Sequence, residues 1–215
     1  TVTVNTGAAH HIKVLSGASG NTSEVTVSGL TAGDAFVVHA ASFDADDNYI
    51  TDIFANWSVT GGIGNLSASA GISTTLSTTM PGSGQISADN GSLLGDATGV
   101  ITVNAGAVAV VRIIEGVSGD GTELGTRILT TDDVLTVHAA GYDALDNYVG
   151  DQTVTWGSTG GLSPSISGTS TSISFSPDQA PVTGTITASH PTATNDATGT
   201  ITVNTGAEHH VKVLS

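Results

Sequence analysis

Apolar and polar residues alternate along short stretches of this chain. Phe36, Val38 and Ala40 interleave with Val37, His39 and Ala41, the period of two expected of a half-buried strand. Ala55, Trp57 and Val59 repeat the pattern further on. Short runs at 12–15, 72–78, 85–88 and 100–103 also read as strands, separated by clusters of Gly, Ser and Thr. No stretch combines a 3.6-residue apolar period with capping residues. The pattern therefore predicts an all-β protein.

Internal repetition sets the organisation. Phe43-Asp-Ala-Asp-Asp-Asn-Tyr49 returns as Tyr142-Asp-Ala-Leu-Asp-Asn-Tyr148, 99 positions later. Trp57 returns as Trp156 and Gly61-Gly62 as Gly160-Gly161 at the same offset, whereas Asp96-Ala-Thr-Gly99 returns as Asp196-Ala-Thr-Gly199 at an offset of 100. One residue is therefore inserted between Trp156 and Gly184. Leu135, Val137 and Ala139 stand where Phe36, Val38 and Ala40 stand in the first copy, while Val37 becomes Thr136 on the other face. That comparison marks the core-facing side. The ends match too: Thr6-Gly-Ala-Ala-His-His11 resembles Thr205-Gly-Ala-Glu-His-His210. The chain thus reads as two whole repeats, 9–106 and 107–206. They are flanked by the last strand of a preceding repeat (1–8) and the first strand of a following one (207–215).

Composition narrows the class. Nineteen acidic residues against four Lys and Arg give a net charge of -15. That balance argues against binding a run of phosphates, so nucleic acid is not an expected partner. No apolar run is long enough to insert in a membrane as a helix. Cys is absent, which removes disulfides and thiolate chemistry.

About seven short strands in roughly 100 residues, joined by turns, describe a β-sandwich. Trp57 and Trp156 are expected as the large core residues between its sheets. Asp44-Ala45 through Asn48, Trp57-Ser-Val-Thr-Gly-Gly62 and Ala97-Thr-Gly-Val-Ile-Thr-Val103 resemble bacterial immunoglobulin-like repeats of the kind found in the stalks of invasin- and intimin-type adhesins. The resemblance implies tandem immunoglobulin-like domains without a disulfide. One departure is visible. Such repeats commonly carry Gly before the Asn of the turn, where Asp47 and Asp146 stand here, and Asp enters the left-handed region less readily.

The acidic turn carries the sharpest chemistry. Asp44, Asp46, Asn48 and Asp52 occupy positions 1, 3, 5 and 9 of a calcium-loop pattern, which then fails at Tyr49 and Ala55. The second copy offers Asp143, Asp146, Asn147 and Asp151, with Leu145 replacing one ligand. Calcium is the one candidate cofactor; the alternative is a turn in which Asp and Asn bond their own backbone. The pairs His10-His11 and His209-His210 suggest a metal, but neighbours on a regular strand face opposite ways, so they are read as filler or interdomain packing. His39 and His138 read as strand residues. Lys13, Arg112 and Lys212 share a register. The Arg rules out a common Lys–Asn crosslink to Asn104, leaving a charge that discourages edge pairing. Sequons occur at Asn21, Asn56, Asn65 and Asn90, relevant only where the source organism glycosylates. No Gly-x-Ser-x-Gly elbow or phosphate loop is present, and no enzyme activity is expected.

These features lead to an expected spacer or stalk repeat at the cell surface or outside the cell, in an adhesin or an extracellular fibre. Its partners would be neighbouring repeats and, in a filament, other copies. The alternative is a carbohydrate-binding module using Tyr49, Phe54, Tyr142 and Tyr148.

Overall fold

The computed structural model describes residues 1–18, 23–26, 28–116, 119 and 121–208. Asn21, the His209-His210 pair and Lys212 lie outside them. The chain divides into two compact units, Thr1–Gly106 and Ala107–Ser215.

The first unit begins with β1 (His11–Leu15), β2 (Ser28–Thr31), β3 (Ala35–Phe43) and β4 (Tyr49–Asp52). β5 (Ala55–Val59), β6 (Gly64–Leu66), β7 (Ala70–Gly71) and β8 (Ser73–Thr78) follow. β9 (Gly82–Gly84), β10 (Ile86–Asp89), β11 (Asp96–Ala97) and β12 (Ile101–Asn104) close it. One sheet runs β1-β3-β8-β6, with β4 also on β3; another runs β11-β10-β5-β7; a third runs β2-β12-β9. β12 pairs with β2 in parallel. Sequence reading gave fewer strands because segments of two or three residues, such as β7 and β11, carry no visible period.

The core draws on all three sheets: Val14 of β1, Val38 and Ala40 of β3, Trp57 of β5, Ile86 of β10 and Val103 of β12 pack together. Val37, on the other face of β3, is exposed, as the alternation requires. Trp57 is 5% exposed, and its indole N–H donates to the Gly71 carbonyl at 3.0 Å. The buried ring therefore leaves no polar atom unpaired. Ile72 and Val100, which sequence places inside strands, are exposed and lie just outside β8 and β12. Val2 and Val4 are 91% and 90% exposed. The segment 1–8, expected as a closing strand, forms no strand here.

The second unit repeats the scheme. β13 (Val110–Glu115), β14 (Thr122–Glu123), β15 (Arg127–Thr130), β16 (Leu135–Tyr142), β17 (Tyr148–Asp151) and β18 (Val154–Ser158) form its first half. β19 (Ser167–Ser170), β20 (Ser172–Phe175), β21 (Val182–Gly184), β22 (Ile186–Ser189), β23 (Asp196–Ala197) and β24 (Ile201–Asn204) form the rest. Its core centres on Trp156 and Phe175, the latter in the place of Leu76. Leu135 pairs with Phe175 as Phe36 pairs with Leu76, so the offset of 99 still holds there. β21 lies 100 positions after β9. The inserted residue therefore falls between Phe175 and Val182.

Candidate functional site

The pairing of β3 with β4 shifts register between Ser42 and Phe43, and the same shift occurs between Gly141 and Tyr142. Bulges of this kind re-aim the chain, and each leads directly into the acidic turn. The Asp44 N–H donates to the Asn48 carbonyl at 3.0 Å and the Asp47 N–H to the Asp44 carbonyl at 3.2 Å. Inside this loop the buried Asp44 carboxylate accepts from the backbone N–H groups of Gly7 (2.7 Å), Asp46 (3.0 Å) and Asn48 (2.9 Å). The Asn48 amide adds contacts of 3.1 Å to both oxygens. These donors favour the charged form, and the Gly7 N–H foremost holds the Asp44 pKa down at about 2.

Asp143 repeats the arrangement. Its Oδ1 accepts from the N–H groups of Leu145 and Asn147, each at 2.9 Å, and the Asn147 amide reaches both oxygens. Asp44 and Asp143 already face N–H donors, Asp46 is exposed, and Asp52 and Asp151 accept from the hydroxyls of Tyr49 (3.1 Å) and Tyr148 (2.8 Å). Among the described residues, no group of three or more His, Cys, Asp or Glu side chains is placed to hold a metal ion.

Asp47 and Asp146 occupy the left-handed region, at φ +64° and +68°. A cation from the first strand of each unit meets them there. Lys13 Nζ lies 3.0 Å from Asp47 Oδ1 and 3.6 Å from Glu24; an Arg112 nitrogen lies 2.6 Å from Asp146, with another 3.7 Å from Glu123. Each cation also rests on a ring, Lys13 on Phe43 at 5.2 Å and Arg112 on Tyr142 at 4.4 Å. The hydrogen bond to Asp47 raises the Lys13 pKa and lowers that of Asp47, while Asp146 raises Arg112 in the same way. The cation of the first strand therefore acts as a clamp on the turn, where the sequence suggests a charge that discourages edge pairing.

The recurring Asp-Ala-Thr-Gly segment has a structural purpose that its sequence does not reveal. Asp96 accepts the Val14 N–H of β1 at 2.7 Å, as Asp196 accepts that of Ile113 at 2.6 Å. The buried hydroxyls of Thr98 and Thr198 accept the N–H groups of Ile86 and Ile186, both at 3.0 Å. A Cβ on Gly99 would strike the Thr26 carbonyl. The signal was the recurrence of the four residues together.

The remaining candidates are dispersed. His10 precedes β1 and His11 begins it, so strand alternation does not separate this pair. His39 and His138 are half-buried on β3 and β16, the latter 3.6 Å from Asp151. Asn56 and Asn65 are exposed, whereas the Asn90 carbonyl oxygen accepts the N–H groups of Ser92 and Leu93. Phe43 meets Tyr49 edge-on, Tyr142 meets Tyr148 likewise, and Phe54 is 63% exposed. No helix among the described residues is long and apolar enough to cross a membrane.

No family model matches this chain, and no curated protein matches it in sequence. Solved structures do. The neighbours include bacterial adhesins. The Escherichia coli adhesin FdeC matches at 16% identity with a TM-score of 0.45, over 96% of this chain and 67% of that one. The Yersinia pseudotuberculosis adhesin InvE matches at 17% identity and a TM-score of 0.34, over 82% of this chain and 56% of that one. A C-terminal fragment of intimin matches at 18% identity and a TM-score of 0.33, over 93% and 64%. The chain thus spans between about half and two thirds of these structures. Each unit is an all-β, immunoglobulin-like sandwich.

Proposed function

We propose that this chain is a spacer or stalk segment of an extracellular surface protein, in an adhesin or an extracellular fibre, acting by length and persistence without catalysis. One observation carries the reading: side chains capable of chemistry serve to hold each unit together, and they do so in the same way twice. Asp44 and Asp143 tie the turn, Lys13 and Arg112 clamp it, and Asp96 and Asp196 bond the first strand. Selection for a binding or catalytic face would have no reason to duplicate only the scaffold. Five residues separate β12 from β13, too few for a long flexible tether. The net charge of -15 favours mutual repulsion and solubility.

The packing of the rings weighs against the carbohydrate-binding alternative. Three of its four rings, Tyr49, Tyr142 and Tyr148, pack against an aromatic or cationic neighbour. Phe54 is exposed, but Thr153 stands at its place in the second unit.

Electron microscopy of two, four and six joined units tests the spacer reading. The expected result is a particle lengthening by roughly 30–40 Å per unit, the span of strands rising about 3.3 Å per residue. Particles that grow equally in all directions would overturn it.

A further inference from the structure

The residue just before β1 escapes the alternation that governs the strand. His10 is pinned on both sides: its N–H donates to the Phe43 carbonyl at 2.8 Å, and its carbonyl accepts from the Leu94 N–H at 3.3 Å. The His11 ring stacks on Phe43, with centroids 5.9 Å apart and planes 18° from parallel. Between these anchors the two imidazoles converge, leaving His10 Nδ1 3.3 Å from His11 Nδ1. Two imidazole nitrogens bound at about 2.0–2.1 Å to one tetrahedral ion stand roughly 3.3–3.4 Å apart. The 3.3 Å spacing is a ring-to-ring hydrogen bond while one Nδ1 carries a proton, and it equals the bite of a single metal once that proton leaves.

The other side of His11 supports the same chemistry. Its Nε2 lies 2.9 Å from Asp47 Oδ1. A proton held there leaves the lone pair on Nδ1, and a carboxylate behind the ring is the usual way a metal-binding imidazole is oriented. Lys13 shares that carboxylate at 3.0 Å; its charge opposes an incoming cation and keeps the affinity modest. The protein's net charge of -15 works in the opposite direction.

We propose that His10 and His11 form a two-imidazole site for a divalent first-row transition ion, with zinc or copper best suited to nitrogen ligands. Nδ1 of each ring is a ligand and water fills the remaining positions. Ala109 and Val110 occupy the equivalent places in the second unit, which therefore lacks the site. The proposal is independent of the spacer reading, since it concerns one unit and its own side chains.

Zinc chloride titrated into the 215-residue chain, with His209→Ala and His210→Ala removing the second pair, provides the test. Ring-nitrogen NMR is the readout. Nδ1 of His10 and of His11 should shift together and saturate at one zinc per chain. His10→Ala should weaken the His11 response at least about tenfold, since one arm of the chelate is lost; His10 is exposed, so the fold should survive. Asp47→Asn should weaken binding by about tenfold. Equal zinc responses at His39, His138 and His190, or a His11 response unaltered by His10→Ala, would overturn the site.

Discussion

Asp47 and Asp146 adopt a backbone conformation that costs most L-residues about 1–2 kcal/mol, though Asp and Asn less. The compensation lies in the cation facing each of them. The Asp47 side chain is 63% exposed, so its pairing with Lys13 contributes little and is screened by salt. Asp47→Gly should consequently be close to neutral, because relief at φ +64° offsets the lost ion pair. Asp47→Ala, which loses the pair and with it the short polar side chain that eases the left-handed conformation, should lower the denaturation midpoint relative to both the wild type and Asp47→Gly. Asp44 presents the other regime, buried and ringed by donors. Its pKa is lowered from 3.8 to about 2, so the unfolded chain binds the proton first. The stabilisation is present above pH of about 4 and is lost as pH falls toward 2. Melting of the wild type should show this decline, whereas Asp44→Asn should melt lower at pH 7 and lose less on acidification. Adding calcium or a chelator should leave the wild-type melt unchanged. The turn itself was legible from its Asp and Asn residues. Its saturation by N–H donors was not, because the Gly7 donor lies 37 positions away.

At the scale of elements, the Asp-Ala-Thr-Gly segment links β1, β10 and β12. Thr98→Val preserves shape but strands the Ile86 N–H in the interior. A buried unsatisfied donor costs about 1–3 kcal/mol, and the Ile86 amide should exchange faster with solvent. Thr198→Val should have the same effect at Ile186. Gly61 and Gly160 lie two residues beyond β5 and β18, at φ +78° and +69°. A Cβ at either would strike the facing carbonyl, that of Ser83 or Thr183. The recurrence of these motifs was visible in one dimension. Their partners depend on how the strands align, so the sequence showed that the residues matter without showing to what they bond.

At the scale of the molecule, each unit encloses its own core, one around Trp57 and one around Trp156. Truncating a buried aromatic costs about 3–5 kcal/mol, a large share of the stability of a domain this size. Trp57→Ala should therefore lower the melting of the first unit while the second, followed by Trp156 fluorescence, retains its transition. Trp156→Ala should do the reverse. A joint loss of both transitions in either variant would show that the cores are energetically inseparable.

The sequence by itself determined the all-β class, the duplication and the inward face of the main strands, because a period of two and a repeated motif are properties of the chain read in order. Only the tertiary structure decided where the charges and hydrogen bonds go. Asp47 meets Lys13, Asp96 reaches Val14 across 82 positions, and His10 turns toward His11 just before its strand begins. Such contacts form only after sheet register and turn geometry bring distant atoms within about 3 Å, and neither hydrophobic pattern nor residue spacing encodes that approach.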